Sequence, residues 1–145
     1  MRHCLAHFAA LESCVTRFVI VPDVAMRLAQ DRAVVRAEHR LVAPTLLRSQ
    51  LLARLYDDVR RGKLDKPGAD ERLDYVRGLR IRLLGDRVLQ SVAWRVASDL
   101  GWSDTFDAEY VALTKLQADA FVTLDDTLAA AVKDLVTVAA YEALL

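Results

Sequence analysis

The sequence predicts an α/β fold, a three-layer sandwich in which a small, mostly parallel sheet is flanked by helices. Three observations predict it. Four short apolar runs, residues 18–21, 81–84, 120–124 and 135–139, are separated by longer stretches with helical periodicity. The first run, Phe-Val-Ile-Val, is continuous and apolar, as expected of a strand buried on both faces. The 145 residues are 54% hydrophobic, mainly aliphatic and alanine, which suits helices packed on a sheet and excludes a disordered chain. One domain is expected, with no internal repeat, low-complexity tract or linker.

Residues 1–16 carry a weak amphipathic pattern (Leu5, Phe8, Ala9, Glu12) and are expected to form an N-terminal extension ahead of a domain spanning 17–145. His3 and His7 have the i, i+4 spacing of metal ligands, with Cys4 beside them. No second ligand pair completes such a site, so an appendage with incidental side chains is the simpler expectation. The strand at 18–21 ends at Pro22, and Asp23 follows. Residues 24–29 read as a short helix, and 33–40 as another helical piece or a loop. Pro44 falls near the first turn of a strong helix, 45–61, closed by Gly62. Its apolar stripe is Leu47, Leu51, Leu55 and Val59, with Gln50 alongside. Asp65 or Pro67 opens a helix to about Gly78. Asp86 caps a helix at 87–100, and Gly101 stops it.

The next helix starts at Ser103 or Asp104, either of which can cap it, with Phe106, Tyr110 and Leu113 at helical spacing. Asp107 lies on its first turn. The strand at 120–124 ends in Asp125 and Asp126, a short helix occupies 127–133, and the last strand follows.

Lys+Arg and Asp+Glu number 20 each, so net charge gives no sign of a nucleic-acid or membrane partner; local patches matter more than totals. Both cysteines, Cys4 and Cys14, fall in the first fourteen residues, so a core-stapling bridge is not expected and a reducing cytoplasm is the simpler location. No run approaches the length needed to span a bilayer, and residues 1–7 are too polar for a signal peptide. There is no G-x-G-x-x-G, P-loop, G-x-S-x-G or zinc-spaced Cys/His cluster in the globular part. What remains is carboxylates at strand ends and helix starts: Asp23, Asp107 and Asp125. In an open parallel sheet such positions meet on one edge. Acids gathered there repel one another unless a divalent cation neutralises them, and hard oxygen ligands suit Mg²⁺ or Mn²⁺ and phosphodiester hydrolysis.

Four segments in order, Val-Pro-Asp23, then Ala43-Pro-Thr-Leu-Leu-Arg-Ser-Gln50, then Thr105-Phe-Asp107-Ala-Glu-Tyr-Val-Ala-Leu, then Val122-Thr-Leu-Asp125, resemble the PIN domain. The pattern is most similar to ribonuclease toxins of bacterial toxin–antitoxin pairs of the VapBC type, and it runs from about residue 18 to 140. The resemblance implies a metal-dependent endoribonuclease with an acidic pocket for Mg²⁺ or Mn²⁺, inhibited by an antitoxin. Carried over residue by residue, it makes Asp23, Asp107 and Asp125 the catalytic, metal-holding acids. Asp104 is first a cap and second a ligand. Gln50 stands where the family has a glutamate, and Ala25 where a Ser or Thr is common. Both departures favour an alternative: a catalytically weakened or inactive PIN-fold module that binds RNA or a protein partner. Gln50 can still offer a carbonyl oxygen to a metal, without charge.

Each acid also has an ordinary structural role open to it. Asp107 can complement the helix dipole, Asp125 can cap the helix at Thr127, and Asp23 can be a plain strand-end acid. The expected arrangement brings the three carboxylates within about 5–6 Å, given metal–oxygen distances of about 2–2.5 Å. Among the scattered basic residues, Arg80 and Arg82 flank a strand in position to hold phosphates; no other RNA-binding residue is assigned. The expected partners are an RNA substrate, a cognate antitoxin covering helix 45–61, and a second copy in a homodimer.

Overall fold

The described residues of this computed structural model are 15–145; residues 1–14, with His3, Cys4, His7, Cys14 and almost all of the expected extension, lie outside them. Strand β1 (Thr16–Ile20) buries Phe18, Val19 and Ile20 and passes through Val21 directly into helix α1 (Pro22–Asp31). Pro22 opens that helix at its first position, where a missing N–H costs nothing and a fixed φ helps. The helix is therefore longer than the 24–29 read from the sequence, because its terminating signal is weak: Arg32 turns left-handed at φ 48.

A strand missing from the sequence reading follows. Residues 33–38 form a loop, and His39–Pro44 is β2, parallel to β1 with Thr16 beside His39 and Val19 beside Val42. The loop expected over 33–40 holds for 33–38, and the strand was missed because only Leu41-Val42-Ala43 is apolar, between Arg40 and a proline. Pro44 belongs to the end of this strand, opposite Leu84, not to the first turn of the helix. Helix α2 (Leu46–Arg60) then buries Leu47, Leu51 and Leu55, the predicted stripe. Helix α3 (Lys66–Gly78) starts at Asp65, whose carboxylate accepts the Gly68 N–H at 2.7 Å.

Strand β3 (Arg82–Leu84) is followed by Asp86, which accepts the Leu89 N–H at 2.8 Å and caps α4 (Arg87–Leu100). Gly101 ends α4 at φ 68, where a side chain would be strained. Helix α5 (Phe106–Gln117) contributes heavily to the core: Ala108, Tyr110, Val111, Ala112 and Leu113 are all 1% exposed or less. Phe106, expected on the same stripe, is half exposed instead. The chain closes with β4 (Ala120–Val122), α6 (Asp126–Val132), β5 (Val138–Ala139) and a 3₁₀ turn at Tyr141–Leu144. The last strand is only two residues of the five predicted.

The sheet is five-stranded and all parallel, in the order β3-β2-β1-β4-β5. The chain moves outward from β1 through β2 to β3, then returns to the far side of β1 for β4 and β5. Right-handed crossovers put helices on opposite faces for opposite directions of travel. The packing agrees: α1, α2 and α3 pack on one another, and α4 packs on α5. The fold class is as predicted, a sheet flanked by helices, with five strands and six α-helices among the described residues.

Candidate active site

β1 and β4 lie side by side where the strand order reverses, with Ile20 in register with Val122. Three residues beyond that pair, past the C-terminal end of each strand, stands an aspartate: Asp23 in the first turn of α1 and Asp125 at the N-cap of α6. Crevices at such reversal points are where open α/β sheets bind ligands, because the strand ends there diverge to opposite faces. Asp107 comes to the same edge from the first turn of α5. A pocket of about 280 Å³ opens there, lined among others by Trp102, Asp104, Asp107, Asp125 and Thr127.

The carboxyl of Asp107 is held above its ordinary range, first by partial desolvation and then by the negative charges of Asp104, Asp125 and Asp23. Four acids therefore act electrostatically on one locus. Two of them also do the ordinary work open to them. One oxygen of Asp125 accepts the N–H groups of Thr127 (2.9 Å) and Leu128 (3.1 Å), capping α6. Asp104 accepts the Phe106 N–H at 3.1 Å, beside the α5 N-terminus.

Asp23 has a partner the sequence reading did not anticipate. The guanidinium of Arg54, on α2, forms an ion pair with its carboxylate. Both side chains stay close to half exposed, 49% and 41%, so the pair is open to solvent. Gln50 lies one helical turn before Arg54 and faces the same way. Its side-chain oxygen accepts a hydrogen bond from the Tyr110 hydroxyl at 2.5 Å. Burial, then the charges of Glu109 and Asp107, push the Tyr110 phenol well above its usual pKa, so it remains the donor. The i, i+4 relation of Gln50 and Arg54 was available in the sequence and would have found Arg54. Nothing local in the sequence signals the Tyr110 contact, which joins residues sixty apart.

Among the described residues, no three His, Cys, Asp or Glu side chains stand in a group able to hold a metal ion as they are arranged. The donor set nevertheless fits a hard divalent cation chemically. It consists of carboxylates, of which Asp107 is raised first by burial and then by the neighbouring acids, and Asp23 is paired with Arg54. Asp23, Asp107 and Asp125 are the residues that would hold it, in competition with Arg54 at Asp23.

No family model matches the chain, and no curated protein matches it. It is similar in fold to PAE2754 from Pyrobaculum aerophilum. The crystal structure of that protein aligns with a TM-score of 0.68 over 90% of this chain and 95% of its own, at 20% sequence identity. At that identity the likeness to PAE2754 establishes the fold and nothing finer. Among the described residues no helix is long and apolar enough to cross a membrane.

Proposed function

We propose that the chain is a PIN-domain endoribonuclease that hydrolyses RNA phosphodiester bonds, of the kind that acts as the toxin of a toxin–antitoxin pair in the cytoplasm. The observation that carries this reading is the delivery of Asp23, Asp107 and Asp125 to one sheet edge at the reversal of strand order, with Asp107 raised by burial and then by the other acids. The sequence pattern and the fold likeness are consistent with it. When bound, Mg²⁺ or Mn²⁺ supplies neutralisation of the phosphate charge and of the attacking water's developing charge.

The chain's own residues do the rest. Asp23, Asp107 and Asp125 would hold the cation, and Asp104 would add negative charge beside them. Buried Tyr110 fixes Gln50 and with it the face of α2 that carries Arg54. Arg54, released from Asp23, is a cation next to the position a phosphodiester would occupy. Trp102 on the pocket wall and half-exposed Phe106 offer aromatic faces on which a base can stack.

A second reading is favoured by two specific observations. The oxygen of Gln50 is engaged by Tyr110, and Asp23 by Arg54, as in a site that has lost its metal. That protein would bind RNA or a partner without cutting. Incubation of the protein with RNA and Mn²⁺ separates the two. Under the first reading wild type cleaves, EDTA stops it, and Asp107→Asn is at least a hundredfold slower. Intact RNA throughout, with Mn²⁺ heat absent from calorimetry, establishes the second.

A further inference from the structure

The edge of the sheet opposite the acidic pocket carries five arginines. Arg17, Arg36, Arg40, Arg80 and Arg82, with His39, line a single cavity of about 1120 Å³ where the parallel strands begin. These residues are scattered over the sequence of a chain with no net charge. The register shows how close three of them are. Arg17 of β1 is directly beside Arg40 of β2. Arg82 of β3 is beside Val42, two residues on from Arg40. Side chains alternate along a strand, so Arg17, Arg40 and Arg82 leave the same face of three adjacent strands. Neighbouring strands lie about 4.8 Å apart, and like charges directly opposite one another destabilise a sheet. Nothing in the fold compensates them fully.

Arg36 pairs with Glu38 at 3.1 Å, and Arg40 bends back onto the carbonyls of Ala37 and His39. Asp119 takes the backbone N–H of Arg17, not its guanidinium. The acid lining the cavity, Asp74, is held by Arg77. Among the described residues, the guanidinium groups of Arg17, Arg80 and Arg82 therefore have no carboxylate partner. His39 adds a second signal. Its ring packs edge-on against Phe18, and both ring nitrogens are buried without a hydrogen-bond partner. Arg80 adds a third, holding a left-handed backbone (φ 53) that glycine would adopt freely.

We propose that this cavity is an anion site that holds the phosphodiester backbone of single-stranded RNA, separate from the acidic pocket. A strand fits better than an isolated phosphate because the unpaired cations are spread over β1, β3 and the turn before β3 rather than focused on one point. The groove is argued from its own residues; only the choice of RNA rests on the proposed nuclease activity.

The test is fluorescence anisotropy of a labelled single-stranded RNA in EDTA, so that cleavage is absent. The double variant Arg80→Gln/Arg82→Gln is expected to bind about tenfold more weakly than wild type. Its plot of log affinity against log salt should be shallower by about 1.4, two phosphate contacts at about 0.7 each. Arg60→Gln/Arg95→Gln, of equal charge and on other surfaces, should bind as wild type. Arg17→Gln guards against a folding artefact: it relieves a like-charge pair, so its thermal midpoint should not fall while its RNA affinity does. Unchanged affinity in these cavity variants, or an equal loss in the control pair, overturns the proposal. So does tripolyphosphate binding more tightly than RNA and displacing it, which makes this a small-phosphate site. Loss of RNA in the cavity variants, beside a wild type that never cleaves with Mn²⁺, keeps this inference and sinks the nuclease reading. Cleavage by wild type with no loss in the variants does the reverse.

Discussion

On the proposed function, Arg54 sets how strongly the acidic site attracts a cation. Its guanidinium pairs with Asp23, so a metal bound there would compete with a charge already in place. The pair is half exposed, and such pairs contribute about 0–1 kcal/mol to stability, so removing it should hardly affect folding. Arg54→Gln is expected to tighten Mn²⁺ binding roughly three- to tenfold by calorimetry, with a thermal midpoint near that of wild type; equal or weaker binding would show that Arg54 does not compete. Gln50→Glu acts at the same place. A glutamate can still accept from Tyr110, adds a carboxylate, and sits four residues before Arg54, the favourable orientation for drawing that guanidinium away from Asp23. About tenfold tighter Mn²⁺ binding, or about 1.4 kcal/mol, is expected, with faster RNA cleavage. No change in either would place position 50 outside the site.

Asp107 gives a pH signature at the same scale. Its carboxyl is raised in the folded protein, so between the ordinary value near 3.8 and the raised one the native state holds more protons than the unfolded chain. Stability due to this group therefore falls as pH rises through that window, and the deficit is complete above it. Asp107→Asn should raise the thermal midpoint at pH 7 and leave it unchanged near pH 3, below both values. Calorimetric scans across pH check this, and a midpoint at pH 7 no higher than wild type would mean the repulsion is screened away.

Among the elements, those with strong end signals were legible and the others were not. Asp86 and Gly101 bracket α4 exactly where the sequence placed it, because a side-chain cap and a left-handed glycine are local chemistry. Asp86→Ala should cost about 1 kcal/mol and lower the thermal midpoint by about 3–4 °C in a domain of this size. A circular-dichroism melt measures it, and no shift would mean the Leu89 N–H finds water instead. β2 was missed for the opposite reason. It is a strand by virtue of its neighbours β1 and β3, and three apolar residues between an arginine and a proline carry little periodicity of their own. The site divides the same way. Asp23, Asp107 and Asp125 follow strands or open helices and could be named from the chain. The Arg54 ion pair and the Tyr110–Gln50 bond depend on how α2 lies against α1 and α5, which no single segment encodes.

For the whole molecule, the open question of assembly falls on α2. Leu52 and Tyr56, one turn apart on that helix, are 60% and 64% exposed. A homodimer or an antitoxin covering this helix would bury them. Light scattering at high concentration is expected to give twice the chain mass, and Tyr56→Asp to return it to one; a wild-type monomer would exclude the homodimer while leaving an antitoxin contact possible.

The parallel sheet has one further consequence. Because every strand points the same way, the edge where strands end gathers Asp23, Asp104, Asp107 and Asp125, while the edge where they begin gathers Arg17, Arg36, Arg40, Arg80 and Arg82. Equal numbers of charges cancel in the sum, but these nine side chains do not cancel in space and contribute an electric moment along the strands. A polyanion approaching from solution exerts a torque on such a body before it touches it, turning the arginine end forward and the aspartate end away. Association is then oriented even though the monopole is zero, and the torque fades as salt shortens the Debye length below the size of the molecule.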